Sequence, residues 1–280
     1  LLWCTARIRL RLARLIPSRV NSAPRSSAGS GIPDEDGPET VTAIQRSSDE
    51  KHAERGAPSY VWRAGQDRRL AMIRQWGSVA GARILENGCG LGAYAAHLLE
   101  DSPRVVAFDI EHDRAAAAHQ RVAEVHVAAA EALPYPDASF DLVISNEVIE
   151  HVQDDNAAVC EMVRVLAPGG RLLVFCPNRW YPVEQHGHYW RGKYHFGNTP
   201  LVNYLPNVLR NRLAPHVRVY TRRGLLRLFA GQPVHVVHYT RIFGAYDNII
   251  RRSPVIGKAL RSVLQGLEHT PLRVLGLSHF

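Results

Sequence analysis

The chain of 280 residues is 46% hydrophobic and 21% charged, proportions that exclude a wholly disordered, collagen-like or coiled-coil protein. No apolar run reaches the roughly 18 residues of a membrane span, and the four cysteines (Cys4, Cys89, Cys160, Cys176) lie far apart without a C-x-x-C pair. That spacing excludes a zinc ribbon, argues against a disulfide framework and favours a reducing, cytoplasmic setting, with Cys160 and Cys176 acting as small core residues. The net charge of +8 is uneven: residues 56–178 carry 10 Lys+Arg against 16 Asp+Glu, residues 179–280 carry 15 against 3. Such a basic last third suits a negatively charged partner, or is simply a solvated arginine-rich surface.

In chain order, residues 1–55 form a poorly ordered basic and Ser/Pro-rich leader. Arg7, Arg9, Arg11, Arg14 and Arg19 precede any acid, as in an organellar transit peptide, an amphipathic surface arm or translated sequence upstream of a start. Helices are expected over 58–80, where Val61, Leu70, Ile73 and Trp76 stand among arginines. Strands then alternate with helices: strand 83–86, helix 91–100, strand 104–110, helix 112–122, strands 124–129 and 140–145. A helix follows, capped by Asp154 or Asp155, with Val159, Met162, Val163 and Leu166 on one face and Pro168-Gly169-Gly170 stopping it before strand 171–176. This alternation predicts an α/β fold: a Rossmann-like, doubly wound, mostly parallel sheet with helices on both faces over 56–178. Residues 179–280 are expected to complete the same domain as a substrate-covering insertion and terminal elements. These are a helix at 220–230, a strand at 233–239, a helix at 251–267 and the opening of a strand at 276–280.

The first chemical feature is the turn Glu86-Asn87-Gly88-Cys89-Gly90-Leu91-Gly92 between the first strand and helix. Glycines suit a sharp reversal where a ligand approaches the main chain. Gly88-x-Gly90-x-x-Ala93 also fits a dinucleotide site, and Asp109 ending the second strand suits ribose hydroxyls in either case. Glu86 tips the choice, because its carboxylate would repel a pyrophosphate and suits an ammonium group or a hydroxyl.

ILENGCGLG (84–92), VVAFDI (105–110), EALPYPDASFDLVISNEVIEHV (131–152) and VRVLAPGGRLLVFCPN (163–178) together resemble the class I S-adenosylmethionine-dependent methyltransferases. The likeness is to the type-11 group that includes the ubiquinone O-methyltransferases. The resemblance implies S-adenosyl-L-methionine as cofactor. Glu86, Gly88, Gly90 and Gly92 would line its methionine side, Asp109 hold the ribose and Ile110 lie against the adenine. The loop from Ala130 to Leu133 would pass the adenine edge, and Asn146 lie under the methionine part. Relatives place an Asp where this chain has Ala129, which shifts the adenine amino contact to Glu131 or backbone.

A sulfonium methyl is already electrophilic, so positioning and exclusion of water are the protein's task. Tyr60, Trp62 and Tyr94 are aromatic candidates to face the sulfonium, or packing residues. His151 is the candidate base for an oxygen acceptor, or orders its loop. The run Glu147-x-x-Glu150-His151 resembles the metal site of some quinone O-methyltransferases and small-RNA 2′-O-methyltransferases, which His186 and His188 could complete. No divalent metal is expected, because the run also occurs in type-11 enzymes that need none. His186, His188, Tyr189, Trp190, Tyr194, His195 and Asn198, together with Arg191 and Lys193, form an irregular aromatic and basic segment. They are the substrate candidates for a ring-bearing or anionic acceptor or a nucleotide base, unless the segment folds around its own aromatic cluster.

The leading expectation is methyl transfer to a small or lipid-like acceptor, at oxygen. The alternatives are an RNA methyltransferase using the basic last third, a nicotinamide-dependent oxidoreductase, and a non-catalytic cofactor-binding protein. Peripheral membrane contact through helix 251–267, with Arg251, Arg252, Lys258 and Arg261 outward, and organellar targeting by the leader stay open. The oligomeric state has no signature in the sequence.

Overall fold

Strand alternation decides how the sheet is buried. The computed structural model describes residues 61–280; the leader 1–55, Cys4 and Tyr60 lie outside the described residues. Helix α1 (Ala64–Gly77) sets Leu70 and Ile73 inward and leads to β1 (Ile84–Asn87), all four of whose residues are buried. There follow α2 (Ala93–Leu98), β2 (Val105–Asp109), α3 (His112–His119), β3 (Glu124–Val127), β4 (Phe140–Asn146), α4 (Asp155–Val165) and β5 (Leu166–Pro177). Ile84, Val105, Ala107, Leu142, Ile144 and Phe175 pack on one side with α1, α2 and Ala118 of α3. Leu85, Phe108, Val143 and Cys176 pack on the other with Val159 and Met162 of α4. Both faces of the central strands are therefore covered, the condition under which parallel strands read as continuous apolar runs.

The five strands run parallel in the order β5-β4-β1-β2-β3, as expected for a doubly wound sheet. The order reverses between β1 and β4, and ligands of such sheets bind at the carboxyl ends of the strands beside that switch point. Asp154 caps α4, its carboxylate accepting from the Asn156 and Ala157 amides at 3.0 Å. Pro168-Gly169-Gly170 does not stop this helix. It ends at Val165 because Leu166 is already extended and paired with Phe140, and residues 167–170 bulge out before Arg171 resumes the ladder against Leu142.

The last third departs more from expectation. Residues 186–198 are not irregular: β6 (Val183–Glu184) pairs with β9 (Thr199–Pro200), enclosing the hairpin of β7 (His188–Trp190) and β8 (Lys193–His195). After α5 (Asn207–Leu213) and α6 (Arg222–Leu228), residues 233–239 form no strand; the strand is β10 (Arg241–Ile242). The helix expected over 251–267 is two, α7 (Asp247–Arg252) and α8 (Pro254–Gly266), because Pro254 has no amide to continue α7 and instead opens α8. The final β11 (Ser278–His279) inserts antiparallel between β5 and β10, so the chain's last residues join the sheet that its middle builds. Among the described residues no helix is long and apolar enough to cross a membrane.

Candidate active site

The glycine turn is held from both strands that flank it. Gly90 donates its amide to Asp109 Oδ2 at 2.8 Å, and Cys89 donates to the Phe108 carbonyl at 2.9 Å. Ala95, in the first turn of α2, donates to Glu86 Oε2 at 2.8 Å. Gly88 and Gly92 have φ of +67° and +72°. A Cβ at Gly88 would stand 2.6 Å from Val148 Cγ2, and one at Gly92 2.9 Å from Ala118 Cβ, so the backbone conformation and the close packing both require glycine.

Above this turn, at the carboxyl ends of β1, β2 and β4, opens a cavity of about 1140 Å³. Glu86, Gly88, Gly90, Asp109, Ile110, Ala130, Glu131 and Asn146 all line it; Gly92 does not, serving instead to seat α2. Glu86 is buried, which pushes its carboxyl pKa up to about 8; the Ala95 amide opposes this rise and the Asp109 charge adds to it. Asp109 Oδ1 also accepts from the Glu111 amide at 2.9 Å, so the carboxylate is fixed in place. Glu131 Oε1 also accepts from the Gln153 amide at 2.7 Å and from the Asp154 amide, tying the 130–133 loop to the start of α4. Tyr94 lines the cavity, whereas Trp62 packs edge-on against Tyr94 at 5.0 Å and does not reach the cavity.

Asn87 is a lining residue that sequence reasoning did not single out. It lines the cavity, its amide nitrogen is 3.2 Å from Met162 Sδ, and its buried Oδ1 has no partner. An orphaned acceptor, two buried acidic side chains and a glycine turn are a set of polar groups that fits a cationic nucleoside such as S-adenosylmethionine.

On the other side the cavity is bounded by α1, by Gln185 and His186, and by Phe243, Ala245, Asp247 and Leu277. Arg69 of α1 was also missed. It donates to Asn146 Oδ1 and to Glu147 Oε1, both at 2.6 Å, and lies over the Phe175 ring. Glu147 has a φ of +57°, a strained conformation for a residue with a side chain, held by Arg69 and by Ser278 Oγ at 2.9 Å. Burial would raise the Glu147 pKa, but the Arg69 charge overrides it and keeps the carboxylate ionised. Glu150 is pushed the opposite way, by burial and then by the Glu147 charge.

The possible metal set is regrouped accordingly. Glu147 is engaged by Arg69, while Glu150, His151 and His186 each place one ligand atom within 4.8 Å of the others. His188 is not among them; its Nδ1 meets Thr199 Oγ1 at 2.9 Å. His151 lines the cavity, with Nδ1 3.3 Å from the His216 carbonyl, so that Nδ1 carries the proton and Nε2 is the acceptor. Burial, then the neighbouring His186, depress its pKa to about 3, which keeps the ring neutral but makes it a much weaker base than an unperturbed histidine.

Of the seven substrate candidates, only His186 reaches the cavity. Its Nδ1 lies 3.0 Å from Glu184 Oε1. His188 stacks on His195 at 5.4 Å across the hairpin, Tyr189 and Tyr194 pack at 5.3 Å, and Tyr194 donates to the His186 carbonyl. Trp190 and Asn198 are exposed. The hairpin thus folds around its own rings and shapes the wall indirectly, by holding His186.

Residues 85–174 match the family of the methyltransferase domain. A Mycolicibacterium smegmatis protein named a probable S-adenosylmethionine-dependent methyltransferase is 43% identical over 104 residues, which are 36% of this chain and 40% of that protein. A demethylmenaquinone methyltransferase of Beutenbergia cavernae is 35% identical over 126 residues, 43% of this chain and 52% of that protein. The chain spans about half the length, or less, of the curated relatives it matches. Among solved structures, an S-adenosylmethionine-dependent methyltransferase from Mesorhizobium loti superposes with a TM-score of 0.51 at 19% identity, covering 71% of this chain and 93% of that one, a likeness of fold. The sheet order, the glycine turn and the matched segment agree in likening residues 85–174 to the methyltransferase-domain family, among whose matched relatives are proteins named S-adenosylmethionine-dependent methyltransferases.

Proposed function

We propose that the protein transfers a methyl group from S-adenosylmethionine to a small or lipid-like acceptor, at oxygen. The observation that carries this reading is that Glu86, Asp109 and the Gly88–Gly90 turn line one cavity whose volume, about 1140 Å³, exceeds that of a single-ligand pocket, roughly 300–1,000 Å³. Donor and acceptor fit there together. Two matched relatives, by their names, act on demethylmenaquinone and on malonyl-[acyl-carrier protein], which favours an acceptor with a long apolar or carrier-borne part. The apolar wall of Phe243, Ala245 and Leu277 opposite the nucleoside side accords with it.

The bound cofactor supplies an electrophilic methyl on a sulfonium. In this reading Asp109 binds the ribose hydroxyls, Glu86 and the Asn87 Oδ1 receive the amino-acid end, and Ile110 and Ala130 sandwich the base. Glu131 acts on the adenine side through the loop it ties down. Arg69 orients Asn146 from α1 and closes that side to water. His151, neutral with its Nδ1 proton given to the His216 carbonyl, offers Nε2 to the acceptor hydroxyl. With a pKa near 3 it takes up the proton only as the oxygen becomes positive on receiving the methyl, not beforehand.

Calorimetric titration with S-adenosylmethionine tests the binding half. Saturable binding is expected, with Asp109→Ala weakening it at least about tenfold, as the loss of a charged hydrogen-bond partner implies. Tight binding of a nicotinamide dinucleotide instead would overturn the reading. Transfer of labelled methyl groups into an extract, fractionated into lipid, RNA, protein and small molecules, then identifies the acceptor; label confined to RNA would refute the small or lipid-like class.

A further inference from the structure

The distribution of exposed apolar side chains is uneven. Beside the hairpin, Trp190, Phe196 (73% exposed) and Val208 of α5 (82% exposed) face solvent. On α8, Val255 (81% exposed), Ile256 and Val263 recur at helical spacing and form one outward apolar stripe. Arg251 and Arg252 at the end of α7 and Lys258 of α8 are exposed beside this stripe, whereas Arg261, expected to point outward, turns in to the Ala245 carbonyl and Asp247. The hairpin repeats the pattern, with Arg191 and Lys193 exposed next to Trp190.

Charge reinforces this. The three acids of residues 179–280 are all neutralised by arginine: Glu184 by Arg210, Asp247 by Arg261, Glu268 by Arg68. Nothing in the last third therefore offsets the exposed cations. Each patch is joined along the chain to a segment that lines the cavity. Gln185 and His186 lead directly into the hairpin, Asp247 opens α7, and Tyr181 and Tyr246 hydrogen-bond between the two regions.

We propose that the hairpin 188–195 with α5, and the outer stripe of α8, dock the protein on an anionic lipid surface. Apolar and aromatic side chains ringed by arginine and lysine are the composition of an interfacial element, in which the rings and aliphatic chains enter the headgroup boundary and the cations meet lipid phosphates. A protein interface is disfavoured because Lys193 and Lys258 stand exposed among the apolar residues, where the core of such an interface is depleted in lysine.

The test is flotation of the full chain with phosphatidylcholine vesicles, with or without phosphatidylglycerol. Binding is expected only to the anionic vesicles and falls as salt is raised. Val255→Ser with Ile256→Ser, and separately Trp190→Ser with Phe196→Ser, each reduce partitioning about tenfold or more, since each pair withdraws two large apolar groups from the bilayer. Arg251→Glu with Arg252→Glu flattens the salt dependence. Unchanged melting temperature and S-adenosylmethionine binding confirm that these surface variants are folded and keep lipid docking separate from the methyl-transfer reading. No binding to anionic vesicles overturns the proposal, as does equal binding by all variants. So does a wild-type oligomer in sedimentation that the apolar variants dissociate without any vesicle binding.

Discussion

Glu86 joins the chemistry of the site to the pH dependence of the whole protein. Its folded pKa of about 8 lies above the unfolded value of 4.5. Below pH 4.5 it is protonated in both states and carries no penalty. As the pH rises towards 8 the unfolded chain gives up the proton and the folded one does not, so folded-state stability falls and then levels off. Glu86→Gln, which retains an acceptor for the Ala95 amide, should therefore melt progressively higher than wild type between pH 5 and 8, by at most about 5 kcal/mol, with the gap constant above that. Urea melts across this range measure it; a pH-independent gap would mean that Glu86 is ionised throughout. Because the proposed ligand brings an ammonium to this carboxylate, S-adenosylmethionine affinity should also rise with pH up to about 8 in wild type but not in Glu86→Gln. His151 has the opposite sign: depressed from 6.5 to about 3, it costs stability as the pH falls below 6.5.

Elements supply what single residues cannot. Pairing of Leu166 with Phe140 ends α4 at Val165, and Arg164 near that end donates to the Leu133 and Tyr135 carbonyls and pairs with Glu161, latching the 131–137 loop beside the cavity. The insertion is pinned by the fully buried pair Arg210–Glu184 at 2.9 Å, with Arg210 also donating to the Val217 carbonyl and Glu184 accepting from the His186 amide. Removing one partner strands the other in a dry interior. Glu184→Ala should destabilise the protein by about 3–5 kcal/mol and misplace His186, whereas replacing both with apolar residues of similar volume should cost far less. Urea denaturation of the single and double variants checks this; equal losses would show that the pair is not the anchor of the insertion.

At the scale of the molecule, the end of the chain closes the core begun by its middle. Phe280 stacks on Phe175 of β5 with ring centroids 4.6 Å apart, and β11 carries Ser278 to Glu147 at the cavity edge. Phe280→Ala should cost about 3–5 kcal/mol of stability, the usual penalty for an aromatic cavity, and loosen β11 against β5. Hydrogen exchange at Ser278 and His279 reports the loosening; full protection in a destabilised variant would limit the effect to side-chain packing.

The parallel sheet, its helices and the turn residues that line the cavity were legible because they are local. Apolar strands buried on both faces, a glycine turn and the carboxylate that ends β2 each show their constraint within a few residues. Asp154 could be read as a cap for the same reason. Arg69, Asn87, Phe243, Ala245 and Leu277 carry no such local mark; they meet at the cavity only because α1, β1 and the last forty residues converge at the carboxyl ends of the strands. The aromatic segment misled for a related reason: its composition suggested contact with substrate, but pairing of β7 with β8 turned most of its rings on one another and left only His186 facing inward. Sequence fixes the chemistry available at each position, and burial by distant segments decides which groups remain free to use it.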